Sequence, residues 1–108
     1  MEFQFLSLTA DQLGRFARLK TERELASHGP LAFGQDVPLH DHQEPALYVV
    51  DGLAELADGN GTQRALGKDA TANAVLVPAG KRHGWRGLRE ATRIEHCFGN
   101  GAVQAVVC

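Results

Sequence analysis

The stretch Pro38-Leu39-His40-Asp41-His42-Gln43-Glu44 sets two histidines one residue apart, and Pro78-Ala79-Gly80-Lys81-Arg82-His83 supplies a third much later in the chain. In an extended segment the side chains at i and i+2 leave the same face, so His40 and His42 project side by side if the first stretch is a strand. The proline–glycine corner ahead of His83 sets another strand beside the first. Three imidazoles brought together in this way form a donor set that a divalent transition metal accepts. A His-x-His pair alone is a weak signal, because histidine pairs also occur by chance on surface loops. Its surroundings strengthen it: Gly34 precedes it, Gly52 closes the apolar run Leu47-Tyr48-Val49-Val50, and Asn73-Ala74-Val75-Leu76-Val77 leads into the second block.

Short apolar runs recur at residues 30–33, 47–50, 53–57, 74–77, 92–98 and 102–107, with glycine-rich turns between them. Asp58-Gly59-Asn60-Gly61 is a hairpin signal joining 53–57 to 62–66. Short strands at this spacing predict an all-β sandwich or barrel. Ahead of them, Phe3, Phe5 and Leu6 suggest a first strand, and Thr9 with Gln12 three residues on has the pattern of a helix cap, so a short helix is expected there.

A chain of 108 residues with 44% hydrophobic content makes a single domain with one core, 1–108. The net charge is −2 with both signs interspersed, which excludes the basic footprint of a nucleic-acid binder. The basic residues from Arg15 to Arg23 alternate with Thr21, Glu22 and Glu24, as on a solvated face. No apolar run approaches the ~20 residues of a membrane span, and the N-terminus lacks the pattern of a leader. A soluble, cytoplasmic protein is expected. Cys97 and Cys108 make no disulfide framework, and Cys97 reads as a core thiol.

With both histidine blocks in view, the chain resembles the cupin family. Gly34, His40, His42 and Gly52 occupy the glycine and histidine positions of the first cupin motif, and Pro78, Gly80 and His83 match the second. The departures are specific. Pro45 stands where the motif has its glutamate, with Glu44 one position earlier, while Ala72 and Gly87 replace a glycine and an asparagine of the second motif. If the strand runs on from His42, Glu44 shares the histidines' face by parity and becomes a fourth ligand; if Pro45 breaks the strand, Glu44 turns to solvent and three histidines remain.

The resemblance implies a double-stranded β-helix, or jelly-roll barrel, over residues 30–98, with residues 1–29 as a short strand and helix extension. It also implies a homodimer, its sheet edge covered by the strand at Phe3 to Leu6. The implied site comprises His40, His42 and His83, joined by Glu44 if the strand runs on, around one ion of iron, nickel, manganese, zinc or copper. Trp85, two residues beyond His83, and His96, which faces inward if Ile94 does, become candidates for a substrate pocket. His28, among turn residues, is expected in solvent. Two functions fit: a metal-dependent enzyme of isomerase, lyase or dioxygenase type acting on a sugar acid or small carbonyl compound, or a non-enzymatic module that binds and senses a small molecule.

Overall fold

Which face a strand buries follows from the alternation of its side chains. In the computed structural model, which describes residues 2–23, 27–61 and 63–108, the strands are β1 (Gln4–Leu6), β2 (Ser27–Leu31), β3 (Asp36–His40), β4 (Ala46–Asp51), β5 (Leu53–Ala57), β6 (Gln63–Gly67), β7 (Ala74–Val77), β8 (His83–Gly87) and β9 (Thr92–Phe98). Two helices, α1 (Ala10–Arg23) and α2 (Asn100–Val107), complete the described residues. The strands form two antiparallel sheets, one in the order β1-β7-β4-β9-β2 and one in the order β3-β8-β5-β6. The mostly-β expectation therefore holds.

Between the sheets, Tyr48 and Val50 of β4, Val75 of β7 and Ile94 of β9 share one buried cluster with Leu56 of β5, Leu66 of β6 and Trp85 of β8. The other face of the five-stranded sheet is covered as well: Leu47, Val49, Ala74 and Cys97 pack with Phe16 and Leu19 of α1 and Ala102, Val103 and Val106 of α2. The molecule is thus three layers, helices on one sheet and that sheet on the other. Burial on both faces explains why β4 reads as an unbroken apolar run from Ala46 to Val50.

The helices depart from the sequence reading. The Thr9 cap forms reciprocally, the Thr9 N–H donating to Gln12 Oε1 at 2.9 Å and the Gln12 N–H to Thr9 Oγ1 at 3.2 Å. Yet α1 runs for 14 residues rather than the short piece expected. Its apolar residues Leu13, Phe16 and Leu19 are diluted by Gly14, Arg15, Arg18 and Lys20, so the sequence shows a charged stretch where the fold has a one-sided helix. Residues 102–107, expected as a strand, lie in α2. Ala102, Val103 and Val106 are its buried residues, a helical spacing that a short apolar run does not display. Gln12 Nε2 and Arg15 Nη1 of α1 donate to the Val107 and Cys108 carbonyls at 3.3 and 2.8 Å, serving acceptors that a helix end leaves free.

The N-terminal strand also has a use that was not foreseen. β1 pairs with β7, Gln4 opposite Leu76 and Leu6 opposite Ala74, and Phe3 and Phe5 pack against the inter-sheet core. The edge it covers is one of its own chain, and β1 itself becomes the outer strand of the five-stranded sheet. The β5–β6 hairpin forms as read, Leu53 facing Gly67 and Ala57 facing Gln63; Thr62 and Glu24 lie outside the described residues. Gly52 is required twice over: its φ is +109°, and a Cβ there would stand 2.5 Å from Thr92 Oγ1. Cys97 is buried and Cys108 exposed, both free. Among the described residues no helix is long and apolar enough to cross a membrane.

Candidate metal centre

Strands β3 and β8 pair so that His40 stands directly opposite His83. β3 ends at His40, and His42 follows in the loop, so the histidine pair is not held by strand parity as the sequence suggested. A hydrogen bond places it instead. The Gly80 N–H donates to the His42 carbonyl at 2.7 Å, and the turn around Gly80 is closed by Lys81 N–H to Pro78 O at 3.1 Å. That turn needs φ +75° at Gly80, which is why the corner ahead of His83 carries glycine. The two histidine-bearing segments are thereby tied backbone to backbone.

The ring centroids are 4.7 Å apart for His40 and His42, 4.4 Å for His40 and His83, and 5.3 Å for His42 and His83. One ligand atom from each lies within 4.8 Å of the others. An ion holds imidazole nitrogens at about 2.0–2.1 Å, so donors on opposite sides of it stand up to about 4.2 Å apart, a span that small ring rotations reach. His40 Nδ1–H donates to the Pro38 carbonyl at 2.7 Å and His83 Nδ1–H to the Lys81 carbonyl at 2.9 Å. Both protons are fixed on Nδ1, and both Nε2 lone pairs are left for another partner. The donor set therefore fits a transition metal on the structure's own hydrogen bonding.

Tyr48, absent from the sequence-derived site, bridges two of its histidines. Its hydroxyl is 2.8 Å from His83 Nε2 and 3.0 Å from His42 Nε2. Because His83 carries its proton on Nδ1, Tyr48 O–H donates to His83, and His42 Nε2–H donates to Tyr48. The only sequence signals for this residue are its place on β4, in the inward-facing register, and its being the single tyrosine of the chain.

The remaining two of the chain's five histidines join the same cluster. Ile94 and His96 are both buried on the inner side of β9, so His96 faces inward, 5.1 Å from Tyr48 and 6.5 Å from His42 between ring centroids. Its Nδ1 is buried, with no hydrogen-bond partner among the described residues. His28, expected in solvent, is half-buried on β2, 5.5 Å from His96 and 6.1 Å from His40. Its turn-like neighbours Ser27, Gly29 and Pro30 belong to a strand paired with β9, which is what brings it inward.

Burial sets the electrostatics of the cluster. Desolvation of the charged form, reinforced by the neighbouring histidines, holds His83 and His96 down at about 4. The same causes, in the same order, lower His28, and desolvation followed by His40 lowers His42. Burial pushes the Tyr48 phenol up. At neutral pH His28, His42, His83 and His96 are therefore neutral, the state in which imidazole donates a lone pair to a metal.

The other expected site residues lie apart from this cluster. Glu44 is exposed in the loop between β3 and β4, near Gly99, and is not among the gathered ligand atoms. Trp85 shares the inner face with His83 but is 2% exposed and belongs to the inter-sheet core, its ring 5.3 Å from that of Tyr48. It touches the site through Tyr48, and its Nε1 is buried without a hydrogen-bond partner among the described residues.

No family model matches the chain, and no curated protein matches it. Among solved structures, the crystal structure of a conserved protein of unknown function from Streptococcus pyogenes is similar, with a TM-score of 0.52 at 21% sequence identity over 68% of this chain. This chain spans 59% of that structure's length. At such identity the likeness concerns the fold alone.

Proposed function

We propose that this chain is a small cupin-like metalloprotein, its two sheets forming a double-stranded β-helix, in which His40, His42 and His83 hold one divalent transition metal ion. The observation that carries this reading is the convergence of three imidazoles from two segments, two of them already oriented by backbone carbonyls so that Nε2 carries the lone pair a ligand bond needs. Neutral imidazoles suit iron, nickel, manganese, copper or zinc. When bound, such an ion supplies Lewis acidity toward a ligand's oxygen atoms.

The protein's own groups complete the site. His96, with a free ring nitrogen, and half-buried His28 offer hydrogen bonds to a polar ligand beside the triad. A shallow, open hollow of about 470 Å³ lined by Asp41, His42, Gln43, Glu44 and Phe98 lies at the His42 side of the triad, where a small organic molecule such as a sugar acid or carbonyl compound could approach. We read the protein as a metal-dependent enzyme on such a substrate, cytoplasmic and homodimeric, with Trp85 bracing Tyr48 from within the core. A monomer mass by light scattering at micromolar concentration would remove the dimer from this reading.

Elemental analysis of protein purified without a histidine tag tests the proposal. One transition metal ion per chain, lost in His83→Ala while the domain stays folded, is the expected result. Full metal occupancy in that variant would sink the ligand assignment, and metal-free wild-type protein would favour a module that binds its small molecule without metal.

A further inference from the structure

The phenol oxygen of Tyr48 stands between two of the three donors. Two donors bound at right angles to one ion, each about 2.05 Å from it, stand about 2.9 Å from one another. The Tyr48 oxygen lies 2.8 Å from His83 Nε2 and 3.0 Å from His42 Nε2, which are hydrogen-bond lengths in the metal-free chain and ligand-to-ligand lengths in a loaded one. Three features of this tyrosine set it apart from a residue that only fills the core. It is fully buried, its hydroxyl included. Both of its hydroxyl contacts go to histidines of the triad rather than to backbone. The carboxylate expected nearby, Glu44, lies exposed and outside the cluster.

We propose that Tyr48 is the fourth protein ligand, an anionic phenolate that completes a three-histidine, one-tyrosine site, and that this site favours the oxidised, oxygen-seeking form of its metal, the ferric ion above all. The inference rests on the triad binding metal, as proposed above. On loading, the phenol O–H and the His42 Nε2–H bonds break, metal–oxygen and metal–nitrogen bonds form, and the protons leave to solvent or, for His42, return to its Nδ1. His83 and His40 need no such change, because each already carries its proton on Nδ1. Three neutral imidazoles leave the whole charge of the ion in a buried pocket, and one phenolate lowers it by a unit. Hard, highly charged ions gain most from an oxygen anion.

The chain has one tyrosine, so any tyrosinate-to-metal signal from tag-free protein has a single source. Metal-stripped wild-type and Tyr48→Phe proteins are reloaded with ferric ion delivered as its citrate chelate, and bound iron and visible absorption are measured together. The expected outcome is one iron per chain with a phenolate-to-iron charge-transfer band in the wild type. Tyr48→Phe should bind iron more weakly by at least the ten- to hundredfold typical of groups that support a metal site, and show no such band. Iron bound by the wild type at one per chain without the band overturns the tyrosine ligand and leaves the triad standing. Iron bound by neither protein, nor any divalent ion in its place, overturns both. Should Tyr48→Phe fail to fold, the wild-type band decides alone, since no other residue of the chain can give it.

Discussion

Leu47 and Tyr48 are neighbours on β4, and His96 and Cys97 on β9, yet each pair is split between two kinds of interior. Leu47 and Cys97 face the helices, in an apolar layer built from Leu8, Phe16, Leu19, Val103 and Val106, with Glu95 of β9 on the same side ion-paired to Lys20 of α1. Tyr48 and His96 face the other sheet, where five histidines gather and two buried polar atoms, Trp85 Nε1 and His96 Nδ1, go without partners. One face of the five-stranded sheet is therefore predominantly apolar, which allows the opposite face to carry groups that destabilise an apolar core. The strand period of two is what separates the roles.

Variants on the two faces should then behave differently. Leu47→Ala, at a fully buried position under the helices, should cost about 3 kcal/mol of unfolding free energy by denaturant titration and leave the folded protein's metal stoichiometry unchanged. Loss of metal from the still-folded variant would show that the faces are coupled.

The histidine face should instead make metal-free stability depend on pH. His83 and His96 sit near 4 in the fold against 6.5 when free, so the unfolded chain takes up protons first as pH falls. Their contribution is constant above 6.5, declines from there to about 4, and levels off once both states are protonated. Each is expected to account for about 2 kcal/mol of that decline, less than the full shift because the histidines interact. Denaturation midpoints of wild type and His96→Asn between pH about 7 and about 4.5 check this, the variant being expected to show the shallower fall. Parallel curves would mean that His96 is not held neutral by the fold.

Glu44→Gln marks the smallest effect. An exposed charge outside the ligand cluster should shift metal affinity by no more than about twofold. A tenfold loss or more would bring its carboxylate into the coordination sphere.

The triad was legible in the sequence because its spacing survives without knowledge of the fold: a pair one residue apart, and a proline–glycine corner ahead of the third. The reason given for the pair was incomplete, since His42 is placed by a hydrogen bond from Gly80 rather than by continuing strand. Such a bond links residues far apart in sequence and leaves no pattern. Tyr48 was hidden for a related reason. In a strand buried on both faces, the run Ala46 to Val50 shows no alternation, so nothing marked its tyrosine as pointing toward histidines. His28 was misplaced because Gly29 and Pro30 carry a turn signature, whereas the segment pairs with β9. The β5–β6 hairpin was read correctly because its information is local. The helices were less so, α1 masked by its charges and α2 by being apolar on too short a run.

X-ray absorption at the metal edge of the loaded, tag-free protein counts the donors around the ion and tests the central claim most directly. Three imidazole nitrogens per ion at about 2.0–2.1 Å, with no stoichiometric ion left in His83→Ala, is the predicted result. A spectrum fitted by oxygen donors with one imidazole or none, unchanged by His83→Ala, would contradict it.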